Sequence, residues 1–237
     1  MNPAPLTETW VYLSTSPLLG LTLTLLAYQL GFWIFRRSGQ QAWANPVLIA
    51  IFIIALFLWA TKIPYIRYFE GAQFVHFLLG PATVALAVPL FAYWKRLKRM
   101  ALPLVIALLA GSATAAFSAM IVARWLGATP ETVYSLAPKS VTTPIAMGVA
   151  EQIGGIPSLT AVLVIVTGIL GASAFPGLFR LLRIHDHAAQ GFAAGLAAHG
   201  LGTARAFMFS EEMGAFSALA MGLNGMLTAV ILPLLLR

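Results

Sequence analysis

Long runs of apolar residues alternate with short polar connections along this chain. A run of about 20 apolar residues is long enough to cross the hydrocarbon core of a bilayer as a helix. Six such runs are present, and they cover residues 10–35, 46–64, 73–94, 102–126, 158–182 and 214–236. The pattern therefore predicts an all-α polytopic membrane protein.

Two further stretches, residues 130–153 and 188–208, are less apolar than the six runs. The first carries Glu131, Lys139 and Glu151, and the second is rich in alanine and glycine. Backbone that is not a lipid-facing helix is tolerated at membrane depth where it is buried in protein or lines a cavity. We therefore expect both stretches to pack inside the protein, as broken or re-entrant helices.

Clusters of basic residues predict the orientation, because they favour the cytoplasmic side of a membrane. They lie at residues 36–37, 95–99 and 180–183 and at Arg237. Counting spans from them predicts an N-terminus outside, a cytoplasmic C-terminus and about seven crossings. On this count residues 130–153 are re-entrant, residues 188–208 cross, and residues 211–212 lie outside. We expect residues 1–237 to form a single membrane domain.

Composition narrows the class of protein. Of the 237 residues, 60% are hydrophobic, 9% are charged and none is cysteine. A soluble domain carries about 25% charged residues, so a soluble enzyme is excluded. The lack of cysteine also excludes a disulfide scaffold, a thiolate metal site and a cysteine nucleophile.

The excess of basic over acidic residues and the sequence of the N-terminus indicate which partners and which cellular location to expect. The net charge of +7 lies at the ends of apolar runs, which predicts membrane orientation and no nucleic-acid partner. The first ten residues contain no basic residue, so we expect an integral protein of the cell inner (plasma) membrane without a cleaved signal peptide. We expect no enzymatic activity, no metal site and no cofactor.

A weak internal repeat links the two halves of the chain. The sequence LGPATV at residues 79–84 resembles LAPKSV at residues 136–141, an offset of 57 residues, and its Thr83 is a weaker candidate for substrate binding. A second proline follows each copy, at Pro89 and Pro144, and then a long apolar run. Proline-interrupted segments in corresponding halves are typical of the binding sites of secondary transporters. We therefore predict an inverted repeat with a pseudo-two-fold axis in the membrane plane.

The first candidate site lies between Pro138 and Pro144. Proline disfavours helix in the residue before it and suits the first turn of a helix, so we expect irregular backbone followed by a half-helix near Pro144. The candidate ligands there are Lys139, Ser140, Thr142 and Thr143. A helix N-terminus beside a lysine favours an anion. The alternative is a proline-kinked helix whose hydroxyls bond to their own backbone while Lys139 snorkels.

The second candidate site lies in the sequence HGLGTAR. Its candidate ligands are His199, Thr203 and Arg205, and Gly202 is a weaker candidate. An ionisable residue inside a span is by default a functional hypothesis; arginine can hold a carboxylate through two hydrogen bonds, and histidine can couple protons. The alternative is that Arg205 pairs with a nearby glutamate at residues 211–212 and that His199 is a packing residue.

Two smaller features complete the candidates. Asn45 precedes Pro46 and is either the cap of the following helix or a residue lining the site. Gly191 and Gly195 form a small-xxx-small pair, for which we expect close packing inside the chain rather than dimerisation.

Several longer motifs carry a family resemblance. They are APKSVTTPIA at residues 137–146, GGIP at 154–157, GILG at 168–171, HGLGTAR at 199–205 and GAFS at 214–217. With Asn45 and residues 80–87, these motifs resemble the LrgB/CidB family over nearly the whole chain. One departure is Met213, where relatives often carry an acidic residue.

The resemblance implies two competing functions. Relatives include a plastid glycolate/glycerate transporter, which implies a proton-linked secondary transporter for small monocarboxylates such as glycolate, pyruvate or lactate. The family was named for an antiholin-like control of murein hydrolases and autolysis, which is the alternative. Either function implies a partner that resembles the small LrgA/CidA membrane protein, and a homodimer is a further candidate assembly. Broken helices with polar residues at membrane depth favour the transporter.

Overall fold

The computed structural model describes residues 17–40 and 44–236, which form helices and no strand. Five helical segments within them are long and apolar enough to cross a membrane: Leu18–Arg37, Tyr65–Ala92, Ala101–Trp125, Pro157–Leu181 and Glu211–Leu236. A shorter apolar helix covers Pro46–Thr61. The prediction of an all-α polytopic membrane protein is confirmed.

The chain divides into two compact units, Met1–Ala85 and Leu86–Arg237. The first contains helices α1 (Pro17–Arg37), α2 (Pro46–Thr61), α3 (Tyr65–Phe77) and α4 (Leu79–Ala85). The second contains α5 (Ala87–Ala92), α6 (Trp94–Arg99), α7 (Ala101–Trp125), α8 (Pro130–Leu136), α9 (Thr143–Gln152), α10 (Pro157–Leu181), α11 (His187–Phe207) and α12 (Glu211–Leu236). The single-domain organisation stays a prediction.

In the first unit, α1 packs against α2 and α3 at glycines. A Cβ atom on Gly20 would lie 2.2 Å from the carbonyl oxygen of Tyr68, and one on Gly31 would lie 2.6 Å from that of Pro46. The hydroxyls of Thr24 and Tyr68 lie 2.8 Å apart. Backbones can approach this closely only where side chains are absent, so the two glycines set the spacing of these helices.

The stretch with the first repeat copy is a series of short helices. The helix breaks at Leu78, Leu86, Tyr93 and Met100. The second copy instead has the six-residue turn 137–142 between α8 and α9. Both copies are thus interrupted, as the sequence indicated, but to different extents. The symmetry axis stays a prediction.

Helices α8 and α9 form a re-entrant hairpin, called hairpin A, with residues 137–142 as tip A. Val133 in the middle of α8 and Ile153 just after α9 belong to one buried apolar cluster with Met120 of α7. The Ser135 hydroxyl accepts a hydrogen bond from the Ile156 backbone N–H at 2.8 Å. The chain therefore enters and leaves hairpin A at the same end of the unit, where α7 ends.

Helix α11 is also a hairpin, called hairpin B. Its backbone leaves the helical region at Ala198 (φ −123°, ψ 16°) and His199 (φ 41°, ψ −131°), which form tip B. Residues 187–197 and 200–207 fold back on each other, since a Cβ atom on Gly202 would lie 2.4 Å from the carbonyl oxygen of Ala194. At the base, the His187 ring Nδ1 and the Ser210 hydroxyl lie 3.0 Å apart.

Hairpin B corrects the predicted crossing of residues 188–208. The length of the stretch suits a span, but the reversal at His199 returns the chain to the end at which it entered. Helix α11 is therefore not a seventh crossing. It is the second re-entrant element.

Arg96 of α6 fastens the base of hairpin B. Its guanidinium forms salt bridges with Asp186, which also caps α11, and with Glu212 in the first turn of α12. The basic cluster at residues 95–99 and residues 211–212 therefore lie at the same end of the second unit. The prediction that they lie on opposite sides of the membrane is wrong.

The far end of α12 lies away from Arg96. Leu232, near the end of α12, packs in the same cluster as Met120 and Ile153, at the end opposite Arg96. If α12 crosses the bilayer, a cytoplasmic cluster at residues 95–99 would place Leu232 towards the outer side. The orientation of the C-terminus stays a prediction. The predicted placement of the N-terminus concerns residues 1–16, which lie outside the described residues.

Replacing Arg96 is expected to have a modest effect on stability. Arg96→Gln should lower the free energy of unfolding in detergent by about 1 kcal/mol, because partly exposed ion pairs are worth little each. The difference should shrink in high salt, which screens exposed charges. Lys95→Gln on the same helix is the matched control. Equal thermal unfolding of the two variants would contradict the role assigned to Arg96.

Candidate functional site

The tips of the two hairpins meet at Asn224 of α12. Its amide nitrogen Nδ2 donates to the Ser140 carbonyl of tip A at 3.3 Å and to the Leu196 carbonyl next to tip B at 3.1 Å. The Asn224 side chain is 1% exposed. One buried side chain thus bridges two elements that enter the unit from opposite ends.

This meeting point lies at the middle of the long helices. Asn224 is 13 residues from Glu211 and 12 residues from Leu236 in α12. At 1.5 Å per residue, it lies about 20 Å from the first end and slightly less from the other. If α12 crosses the bilayer, both tips lie near its midplane.

Tip A combines a lysine with a hydroxyl and a helix start. The Lys139 ammonium donates to the Ser140 hydroxyl at 3.2 Å. Ser140 is 6% exposed, while Lys139, Thr142 and Thr143 are half-buried. Thr142 is the extended residue before α9 (φ −65°, ψ 147°), and its side chain makes no capping hydrogen bond. The non-helical backbone predicted after Pro138 is confirmed, and the half-helix begins at Thr143, one residue before Pro144.

Among residues 17–40 and 44–236, no carboxylate lies within salt-bridge distance of the charge at tip A. Both salt bridges of the described residues are made by Arg96, and Lys139 takes part in neither. A half-buried ammonium next to the N-terminus of a helix creates a positive potential, since the helix dipole adds to the charge. The arrangement is suited to a small anion.

Tip B is held by hydrogen bonds to backbone and side chains. The His199 ring is 6% exposed, and its Nε2 lies 3.0 Å from the Val164 carbonyl of α10, to which a protonated Nε2 donates. The Thr203 hydroxyl donates to the His199 carbonyl at 2.9 Å and lies 3.0 Å from the Ser217 hydroxyl. Gly168 leaves the space for the ring, because a Cβ atom there would lie 2.7 Å from it. These contacts fit the packing interpretation of His199, and its role as a ligand stays a prediction.

Arg205 lies further down hairpin B. It is six residues beyond His199, or about 9 Å along the helix. Its guanidinium stacks on the Phe209 ring at 5.0 Å and contacts the Met208 sulfur at 3.4 Å. These contacts direct it towards the base of the hairpin and not to tip A. Asn224 thus connects tip A to the residue beside tip B, while Arg205 lies nearer the base. Convergence of all the candidates on one binding site stays a prediction.

The three weaker candidates have local structural roles or lie in the other unit. The Asn45 side-chain oxygen accepts from the backbone N–H of Val47 at 2.9 Å and caps α2. Thr83 lies in α4 of the first unit. Gly202 permits the halves of hairpin B to touch, as described above. A role of these residues in binding stays a prediction.

Sequence reasoning missed a polar cleft beside tip A. Ala and Pro side chains form part of its wall, and its polar lining residues are Ser112, Ser140, Asn224 and Thr228. Its cavity volume is about 10 Å³, which is at most the space that one water molecule needs. The available signal was Asn224 itself, a strongly polar residue in the middle of an apolar run.

Comparison with known proteins assigns the family. Residues 24–237 match the model of the LrgB-like family. The chain belongs to this family. The motifs in the sequence thus predicted the correct family.

Several relatives cover almost the whole chain. The chain is 37% identical to the Bacillus subtilis (strain 168) protein named Uncharacterized protein YwbG, over 92% of this chain and 97% of that protein. It is 33% identical to YxaC of the same strain, over 90% and 93%. It is 29% identical to the Antiholin-like protein LrgB of Bacillus cereus (strain B4264), over 92% and 95%. No solved structure matches the chain.

Proposed function

We propose that this chain is a secondary carrier, or the membrane subunit of one, for small monocarboxylates such as glycolate, pyruvate or lactate. The observation that carries the proposal is the pair of re-entrant hairpins that enter the second unit from opposite ends and meet at Asn224. Secondary carriers bind substrate near the midplane, between broken helices of opposed repeats.

The order of elements in the second unit supports an inverted arrangement. Helix α7 is followed by hairpin A, and α10 is followed by hairpin B. Because α7 and α10 run in opposite directions between the two ends of the unit, the two helix–hairpin pairs are also opposed. Their tips bring irregular backbone to membrane depth, which is tolerated where it lines a site or is buried in protein.

Tip A is the proposed anion site. Lys139 supplies the charge, Ser140 a hydroxyl, and the first turn of α9 its backbone N–H groups. His199 at tip B is the proposed proton-linked group, because imidazole changes charge near neutral pH.

A second candidate function rests on the name of one group of relatives. Some are named antiholin-like, so the alternative is a membrane protein that regulates murein hydrolases and autolysis. In both functions we propose an LrgA/CidA-like partner protein in the bacterial plasma membrane. A pore or structural partner has no need of a lysine without a carboxylate at the tip of a re-entrant hairpin, which is why we favour the carrier.

Uptake into proteoliposomes tests the carrier proposal. The purified chain, with and without an LrgA-like protein, is expected to take up labelled glycolate or pyruvate, and a pH gradient should change the rate. Absence of uptake in both preparations would contradict the carrier and favour the antiholin-like function.

Lys139→Gln is expected to weaken uptake strongly. Removing a charge partner from a buried site costs about 2 kcal/mol or more, so the half-saturating substrate concentration should rise about thirtyfold. Lys98→Gln, an exposed lysine stacked on Trp94, is the matched control and should behave like the parent. Parent-like uptake by folded Lys139→Gln would remove tip A as the anion site.

A further inference from the structure

Each polar atom of the Asn224 side chain has a hydrogen-bond partner. Its amide donates to the carbonyls of Ser140 and Leu196, and its Oδ1 accepts from the Thr228 hydroxyl at 3.4 Å. A carboxamide offers two N–H donors and one carbonyl acceptor, so each of its polar atoms has a partner.

The two acceptors are carbonyls that regular structure leaves without partners. Leu196 lies in the last turn before the break at tip B, where helix carbonyls lose their intrahelical donors. Ser140 lies in the turn between α8 and α9, outside both helices. Buried carbonyls of this kind need a donor from elsewhere, because leaving one unsatisfied is costly. Asn224 supplies both with the same amide group.

We propose that Asn224 is a positioning residue that fastens tip A and tip B to each other and to the middle of α12. The tie keeps the proposed anion site at tip A in register with His199 at tip B, so that the two tips act as one binding unit. The positioning role of Asn224 is inferred from its hydrogen bonds to the Ser140 and Leu196 carbonyls. Only its consequence for transport rests on the proposed carrier function.

If the proposal is correct, replacing the Asn224 amide should release tip A and tip B from each other. Asn224→Leu has similar bulk and no donor. Asn224→Asp keeps the shape, but an ionised carboxylate has only acceptors and would face two carbonyl oxygens. Thr228→Val is the matched control, because it removes the contact to Oδ1 and leaves both amide donors in place.

Hydrogen–deuterium exchange of the full chain in detergent tests the tie directly. In Asn224→Leu we expect the backbone amides of residues 139–142 and 198–202 to exchange about tenfold faster or more, because each hydrogen bond lost makes local opening easier. The hairpin bases, residues 130–133 and 187–190, should exchange as in the parent, and Thr228→Val should resemble the parent throughout. Asn224→Asp gives a second reading if the leucine variant does not fold.

The outcome at each tip decides the proposal. Faster exchange at both tips with unchanged bases supports it. Parent-like exchange at either tip, or an equal increase at the bases, overturns it, since the latter indicates a general loss of stability. Uptake is measured separately: in a parent that transports, Asn224→Leu should lower the maximal rate more than it changes half-saturation. Failure of the parent to transport bears on the carrier proposal and leaves the exchange result intact.

Discussion

Gly195→Ala is expected to be among the most damaging single substitutions in the second unit. A Cβ atom on Gly195 would lie 2.0 Å from the carbonyl oxygen of Ser217, which belongs to the backbone of α12. One turn earlier, a Cβ atom on Gly191 would lie 2.1 Å from the carbonyl oxygen of Met213. Relief requires the first half of hairpin B and α12 to move apart. We expect a loss of about 3 kcal/mol or more in unfolding free energy, the upper range for overpacking, measured by unfolding in detergent.

Gly222→Ala is the matched control for this prediction. Gly222 also lies in α12, but a Cβ atom there would meet no other atom within 4 Å. Alanine is favoured over glycine inside a helix by about 0.5–1 kcal/mol, so this variant should be as stable as the parent or slightly more stable. If the Gly195→Ala protein unfolds at the same temperature as the Gly222→Ala protein, the close packing of hairpin B on α12 is wrong.

The small-xxx-small pair was predicted to pack inside the chain, and the structure confirms it at both glycines. The signal was strong because two residues without side chains, four positions apart, lie on one face of a helix. The prolines and glycines likewise predicted where both hairpins are interrupted. Pro138 marks tip A, and Gly200 immediately follows the two non-helical residues of tip B. Local chemistry of this kind is readable from sequence, because it depends on neighbouring residues alone.

The reversal of the chain within residues 188–208 could not be predicted from local sequence in the same way. The 21 residues of α11 would span a bilayer if they were straight. The reversal depends on the positive φ of His199. Glycine favours this conformation, so a histidine at this position does not predict a reversal of the chain. It is supported from outside the helix, by the Val164 carbonyl and by the space beside Gly168. Contacts of this kind join residues that are far apart in the sequence, so no local sequence pattern predicts them.

Long-range ion pairs decided the relative placement of the loops. Arg96 lies 90 residues from Asp186 and 116 residues from Glu212. Counting charges assigns each loop a side only if every intervening stretch is correctly assigned as crossing or re-entrant. Because residues 188–208 were predicted to cross the membrane, residues 211–212 were predicted on the side opposite residues 95–99. The predicted direction of α12 relative to residues 95–99 was reversed for the same reason. The role of Asn224 was not predicted, because ionisable residues are the usual sign of a functional site within a span, whereas an uncharged amide joins the two tips here.

Cysteine labelling of the membrane topology is expected to place residues 98 and 211 on one side and residue 131 on the other. The chain contains no cysteine, so each single-cysteine variant reports one position. Lys98, Glu211 and Glu131 are exposed residues. Lys98 and Glu211 neighbour the residues of the Arg96 salt bridges, and Glu131 lies at the opposite end, in the first turn of hairpin A. The positive-inside rule then assigns residues 98 and 211 to the cytoplasm and residue 131 to the outside.

The labelling therefore has an all-or-none result. A thiol reagent that cannot cross the membrane should modify Glu131→Cys in intact cells, and should reach Lys98→Cys and Glu211→Cys only after the membrane is opened. The unmodified chain is the control and should stay unlabelled. Glu211→Cys keeps Glu212, so the Arg96 salt bridge remains. If positions 98 and 211 differ in accessibility, α11 crosses the membrane after all. In that case hairpin B is not re-entrant, and the meeting of two opposed tips at Asn224 is lost with it.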